Sequence, residues 1–218
     1  MDSFQFIDII LLAMVAGFLV LRLRSSLGRR TGHEQGPKTF SSEKVVSINK
    51  NDESQAYEHE DEKNHSNSGI NTGISEILNL DPSFNIDEFN SGAVKAFEII
   101  LYAFSKKDTD TLDSLLSKDV FNAFMTSINE REEACEVLET KIIKVEVSKI
   151  ISIGVKDSLA SITLEFISEQ VNLINSQDGK LIEGDPDQIE SYKDQWTFHK
   201  SLNDKDPNWE LASTKSLG

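Results

Sequence analysis

The sequence predicts an α+β protein with an N-terminal transmembrane helix, a disordered linker, and a domain in which N-terminal helices pack on a four-stranded antiparallel sheet. Three observations carry this prediction. Residues 4–21 form one apolar run, residues 31–73 show no apolar period, and residues 74–218 change from a helical to a two-residue hydrophobic period. Helices followed by strands with short connections are typical of helices packed on one face of an antiparallel sheet.

The overall composition excludes several classes of protein. The 218 residues hold 22 Lys and Arg against 37 Asp and Glu, a net charge of −15, whereas general nucleic-acid binding needs clustered basic residues. The single cysteine, Cys135, excludes a disulfide framework and a thiolate zinc cluster. The length is enough for one ordinary domain with appendages or for two small domains.

The first segment has the length and polarity of a membrane anchor. Fifteen of its 18 residues are apolar. As a helix it is about 27 Å long, close to the roughly 30 Å hydrocarbon core of a bilayer. A cleaved signal peptide has its positive charge before the apolar run, but here Asp2 precedes the run. We therefore expect an uncleaved anchor rather than a signal peptide or a buried core helix.

A basic flank after the apolar run predicts the orientation of this anchor. The flank contains Arg22, Arg24, Arg29 and Arg30. The positive-inside rule places these arginines, and everything C-terminal to them, in the cytoplasm or in an organellar matrix. Two roles stay open for the flank: it sets the topology alone, or it also contacts anionic lipid headgroups. Residues 1–30 are thus predicted to be the anchor with its flank.

Residues 31–73 are predicted to be a disordered tether. They are polar and charged, so they cannot bury enough apolar surface to offset the entropy of the chain. A flexible segment of this length has a root-mean-square span of roughly 35 Å. His59 and His65 lie among acidic residues, but without fixed geometry a solvated acidic linker is favoured over a metal site.

The first half of the predicted domain, residues 74–218, has helical periodicity. Ile74, Ile77 and Leu78 predict a short helix that Asp81 and Pro82 end. Further helices are expected at about 87 or 91 to 106, 109–116 and 118–139. The apolar stripe is clearest in the second of these helices, at Ala93, Ala96, Phe97, Ile100, Leu101 and Phe104.

The second half of the domain alternates with a period of two residues, as strands do. Strands are expected at about 141–153, 158–174, 192–202 and 209–214. Turn signals separate them, among them Asp178-Gly179 in a loop predicted at 175–187.

The sequence carries no motif of a known catalytic class. We find no phosphate-binding loop, dinucleotide fingerprint, nucleophile elbow or metalloprotease helix. Acidic neighbours disfavour a reactive thiolate at Cys135, and strand alternation places His199 on the solvent side. Tyr192 and Asp194 share a strand face with Trp196, so a small-molecule-binding or isomerase-like site stays open as an alternative.

Aromatic side chains suggest a binding groove between helices and sheet. We single out Phe84, Phe89, Trp196 and Trp209 as candidates to line it. Such a groove would hold a lipid tail, a hydrophobic peptide or a partner helix. For each of the four residues taken alone, an ordinary place in the core is the favoured explanation.

Three blocks of the sequence resemble one known family. The anchor and residues 21–34, LRLRSSLGRRTGHE, are similar to the N-terminus of alphaproteobacterial TimA-type membrane adaptors. Residues 74–124 resemble the helical half of the Tim forty-four-like (Tim44-like) domain. Residues 192–214 resemble the end of that domain, where a Trp-Thr-Phe strand and a charged turn lead through Asp-Pro-Asn-Trp into the final strand.

The resemblance implies a cone-shaped domain of the nuclear-transport-factor-two-like superfamily, with no catalytic residues to carry over. It also implies inner-membrane translocation or assembly proteins as partners, with a chaperone as a further candidate. A relative in the mitochondrial large ribosomal subunit makes ribosome docking at the membrane another alternative.

Together, these observations predict a non-enzymatic adaptor tethered to the bacterial inner membrane by a single pass, with its C-terminal domain in the cytoplasm. We expect it to act in protein translocation or membrane-protein assembly and to bind a protein or lipid through the apolar groove. Its other partner is the lipid bilayer itself. No cofactor, metal or nucleic acid is expected.

Overall fold

The computed structural model describes residues 56–204 and 208–217, with side chains from residue 68 onward. The predicted transmembrane helix at 4–21, its basic flank and the linker as far as residue 55 lie outside the described residues. Within the described part, every helix is too short or too polar to cross a bilayer.

In the described part of the chain, four helices precede five strands, which confirms the α+β class. The helices are α1 (Ala56–Leu80), α2 (Ile86–Lys106), α3 (Thr109–Leu115) and α4 (Lys118–Glu133). The strands are β1 (Glu136–Lys156), β2 (Leu159–Ser176), β3 (Leu181–Glu183), β4 (Glu190–Ser201) and β5 (Glu210–Ser216).

The sheet is antiparallel, with the order β1-β2-β4-β5 and with β3 paired to β2 beside that path. The expected number of four strands is therefore one too few. β3 lies inside the segment that was predicted to be a loop. A tight turn at Gly179, which has a φ of +81°, brings Lys180 back to Ser176, whose backbone N–H donates to the Lys180 carbonyl at 2.9 Å.

The first helix enters the segment that the sequence predicted to be a disordered linker. Helix α1 begins at Ala56, 18 residues before the domain start expected at Ile74. Ile70, Ile74 and Ile77 follow one another at helical spacing and contact the core, with Ile77 fully buried. The boundary predicted at residue 73 therefore falls within a helix. The sequence analysis missed the first part of α1 because its composition is polar and its apolar stripe is narrow.

A second correction concerns the end of α4 and the start of β1. The sequence predicted helix to residue 139, but the helix ends at Glu133 and Cys135 has a φ of +56°. That left-handed residue reverses the chain, so the strand begins at Glu136. The acidic residues in this stretch suit helix and exposed strand alike, which explains the error.

The hydrophobic core lies between the helices and one face of the sheet. Alternate residues of β2 point into it and are fully buried: Ala160, Ile162, Leu164 and Phe166. The opposite face is polar. There Glu165 accepts a hydrogen bond of 2.7 Å from the Ser148 hydroxyl and lies 3.4 Å from Lys149 and from Lys193. One apolar face and one polar face are the expected pattern for an antiparallel sheet.

Candidate functional site

A cleft of about 370 Å³ opens where the start of α2 meets the ends of β4 and β5. This volume is near the lower end of the range of small-molecule sites. Apolar side chains form much of its wall, and polar and charged groups stand among them. The lining residues are Asp81, Ser83, Phe84, Asn85, Glu88, Phe89, Gly92, Ala93, Ala96, Leu115, Phe198, Lys200, Asn208 and Trp209.

Three of the four predicted groove residues meet in this cleft. The ring centroids of Phe89 and Trp209 are 4.7 Å apart, and Phe84 lies 6.2 Å from Phe89 and 6.1 Å from Trp209. Phe89 is buried, whereas Phe84 and Trp209 are partly exposed. The two exposed rings are therefore the ones that an occupant would contact.

Local hydrogen bonds fix the segment that carries Phe84. This segment connects α1 to α2, and the Phe84 backbone N–H donates to the Asp81 carbonyl at 3.1 Å. The side chain of Asn85 then caps α2, because its Oδ1 accepts from the backbone N–H groups of Asp87 and Glu88 at 2.9 and 3.1 Å. The sequence offered Asp87 or Ser91 as the helix start, and the true cap lies just before them.

Trp196, the fourth predicted groove residue, is part of the core. It is 2% exposed, and its ring lies 4.5 Å from that of Phe97 and 5.8 Å from that of Phe166. Strand alternation places Trp196 and Phe198 on the same face of β4, but only Phe198 is near enough to the end of the strand to line the cleft. The assignment of Trp196 to the groove is therefore corrected.

Charged residues of the cleft were missed by the sequence analysis. Lys200 follows Phe198 at the next inward position of β4, and its Nζ donates to the Oδ2 of Asp81 at 3.0 Å. A hydrogen bond from the Ser83 hydroxyl and the contact with Lys200 lower the pKa of Asp81 below its ordinary value. Period-two alternation could have suggested Lys200, but nothing local pointed to its pairing with Asp81.

The alternative site residues, Tyr192 and Asp194, lie outside the lining of the cleft, on the core-facing side of β4. The Tyr192 hydroxyl donates to the Glu190 carboxylate and accepts from Asn172 at 3.3 Å. Burial and the bond to Glu190 raise the pKa of Tyr192 to about 12, so it stays protonated at neutral pH. Burial also raises the pKa of Asp194, against a hydrogen bond from Ser216.

Within the described residues, the other side chains considered for metal binding or catalysis do not come together into a site. No group of three or more His, Cys, Asp and Glu side chains there is arranged to hold a metal ion. Cys135 is exposed. His199 is half-buried on the polar face of the sheet, opposite Glu210 on β5, and burial lowers its pKa. The strongest feature remains the apolar cleft with its ionic rim.

A model of the Tim44-like domain matches residues 70–216, more than half of the chain. The chain belongs to the Tim44-like domain family. The resemblance seen in residues 74–124 and 192–214 is thereby confirmed, and the matched segment begins inside α1.

Two curated proteins are similar to the chain. One, the uncharacterized protein RP434 of Rickettsia prowazekii (strain Madrid E), is 21% identical over 98% of this chain and 99% of its own length. The other is the mitochondrial import inner membrane translocase subunit TIM44-1 of Arabidopsis thaliana. It is 24% identical over 57% of this chain, and the match spans only 26% of the Arabidopsis protein.

Among solved structures, the chain is similar to the intermembrane space region of the chloroplast protein ARC6. The sequence identity is 12%, the TM-score is 0.45, and the match covers 59% of this chain and 96% of the other.

Proposed function

We propose that this protein is a non-enzymatic adaptor, tethered to the bacterial inner membrane by residues 1–30, whose Tim44-like domain binds a partner through the apolar cleft. Its role lies in protein translocation or membrane-protein assembly. The observation that carries the proposal is the meeting of Phe84, Phe89 and Trp209 in an open cleft. Family membership and the similarity to a translocase subunit support the process.

The geometry of the cleft favours binding over catalysis. About half of its wall is aromatic or aliphatic, and its partly buried ion pair is already formed, so an apolar group of a partner would gain by displacing water from the rings of Phe84 and Trp209. A tether adds to such a weak contact, because it raises the local concentration of the domain near membrane-bound partners.

A site-specific photocrosslinker tests the proposal. Benzoylphenylalanine replaces Phe84 in the full chain, and a matched chain carries it at Tyr102, an exposed aromatic on α2 outside the cleft lining. In native membranes we expect the Phe84 position to capture a defined translocation or assembly component, identified by mass spectrometry. Equal capture from both positions would contradict the proposed role of the cleft.

A further inference from the structure

The rim of the cleft indicates the chemistry of its occupant, provided that the cleft is the docking site proposed above. We propose that the occupant is a polypeptide segment rather than a phospholipid. It places one apolar side chain against Phe84 and Trp209 and one basic side chain beside Glu88. The size, the charges and the unoccupied carboxylate of the cleft carry this inference.

The size of the cleft suits side chains. Small-molecule sites bury most of the surface of their ligands within about 300–1,000 Å³, and this cleft has about 370 Å³. One or two apolar side chains fill such a space. The two acyl chains of a phospholipid would leave most of their surface in water, and so would gain little from entering it.

The charges of the rim oppose an anionic headgroup. Two carboxylates, those of Asp81 and Glu88, line the cleft, and Lys200 is the one basic residue in its described lining. Lys200 is already paired with Asp81 at 3.0 Å. A lipid phosphate would therefore meet one uncompensated negative charge and a lysine whose charge is already balanced, whereas a basic side chain would meet an attractive field.

Glu88 is the carboxylate that a cationic side chain can reach. It is exposed in the first turn of α2, directly before Phe89. The backbone N–H of Glu88 donates a hydrogen bond to the side chain of Asn85. No described residue forms a hydrogen bond or an ion pair with the Glu88 carboxylate. An apolar anchor on the rings would thus bring a neighbouring basic residue of the partner close to Glu88.

Binding of synthetic peptides to the full chain in phosphatidylcholine nanodiscs tests the inference. Three short helical peptides differ at only two positions, which lie one helical turn apart. The first peptide has leucine and then arginine at these positions. The second replaces the arginine with glutamate, and the third replaces the leucine with alanine. The fluorescence of Trp209 reports binding, and a Trp209→Phe chain gives the background from buried Trp196.

We expect the leucine–arginine peptide to bind most tightly and the leucine–glutamate peptide to bind about two- to fivefold more weakly, as is typical of an exposed ion pair. Glu88→Gln should abolish that difference. Glu98→Gln, which changes an exposed carboxylate of the same helix outside the cleft lining, should preserve it. An unchanged preference in Glu88→Gln would overturn the assignment of Glu88.

Two further outcomes separate this inference from the proposed function. Nanodiscs with brominated phosphatidylglycerol report a lipid occupant, because bromine quenches a tryptophan that it touches. Quenching of Trp209 without any peptide response would overturn the polypeptide inference and leave the apolar docking site standing. A Trp209 that responds neither to lipid nor to peptide would contradict both the inference and the role of the cleft.

Discussion

The ammonium group of Lys200 lies 3.0 Å from the Oδ2 of Asp81, although the two residues are 119 positions apart in the chain. This pair joins the end of α1 to the end of β4. Both side chains are shielded, with 14% of the lysine and 22% of the aspartate exposed. The connection that carries Phe84 is therefore fastened to the sheet at the wall of the cleft.

The first prediction concerns the pH dependence of this pair. The pKa of Asp81 is lowered by the Ser83 hydrogen bond and by Lys200, so its contribution to stability is present above its ordinary value of 3.8 and is lost as the pH falls through the lower folded value. Asp81→Asn should cost about 1 kcal/mol at neutral pH. Urea unfolding of both chains from neutral pH downward should show the difference shrinking in acid.

Lys200→Met provides the matched control for that prediction. A double-mutant cycle with Asp81→Asn should return a favourable coupling free energy, because the two side chains contact each other directly. If the losses in the free energy of unfolding from the two single substitutions simply add, the ion pair does not hold the connection between α1 and α2 against the sheet.

The second prediction concerns the packing of α1 on β1. A Cβ atom on Gly73 would clash with the backbone carbonyl of Ile153, so Gly73→Ala should push the helix away and cost about 1–3 kcal/mol. Gly69 has nothing within 4 Å of such an atom, so Gly69→Ala should stabilise the helix by about 0.5–1 kcal/mol. Thermal unfolding of the two variants should move in opposite directions; a shift of the same sign would contradict this packing.

The third prediction separates the two tryptophans. Trp196→Ala should reduce the free energy of unfolding by about 3–5 kcal/mol, because it empties the centre of the core. Trp209 is partly exposed, so Trp209→Ala should cost less stability but should weaken partner binding. Chemical unfolding and capture from the cleft, measured on both variants, should rank them in opposite orders. The same ranking in both measurements would show that Trp209 is only a core residue.

The fourth prediction concerns Asp194. Burial raises the pKa of this carboxyl above 3.8, so the folded state holds the proton more tightly, and stability falls as the pH rises through the folded value. Asp194→Asn should therefore increase the free energy of unfolding at neutral pH, and the gain should vanish in acid. The sign is opposite to that expected for Asp81→Asn. A stability loss at neutral pH would indicate that the Asp194 carboxylate is needed in its charged form.

The sequence predicted the elements whose signal lies in their own residues. Period-two alternation located the long strands, and the apolar stripe of α2 placed Phe97 and Ile100 in the core, where both are buried. Where the elements end was less predictable, since one left-handed residue at Cys135 converts a helical stretch into a strand. The start of α1 was missed because the core, rather than its own composition, stabilises its polar sequence.

The candidate site was predictable only in part for the same reason. The aromatic content of the sequence suggested Phe84, Phe89 and Trp209 as groove residues, but it suggested Trp196 as well. Whether each ring lines the cleft or lies in the core depends on its position along its helix, strand or loop. The partnership of Asp81 with Lys200 spans the whole domain, so no local pattern could have revealed it.

The central claim is that the N-terminal segment holds the cleft beside its membrane partners, and the crosslinking yield from position 84 tests it most directly. The measurement compares the intact chain with a chain lacking residues 1–30, at equal expression, in the same cells. The account predicts that the intact chain is recovered with the membrane and that its yield falls at least about tenfold without the segment, because the effective concentration is lost. Recovery of the intact chain in the soluble fraction, or an equal yield from both chains, would contradict it.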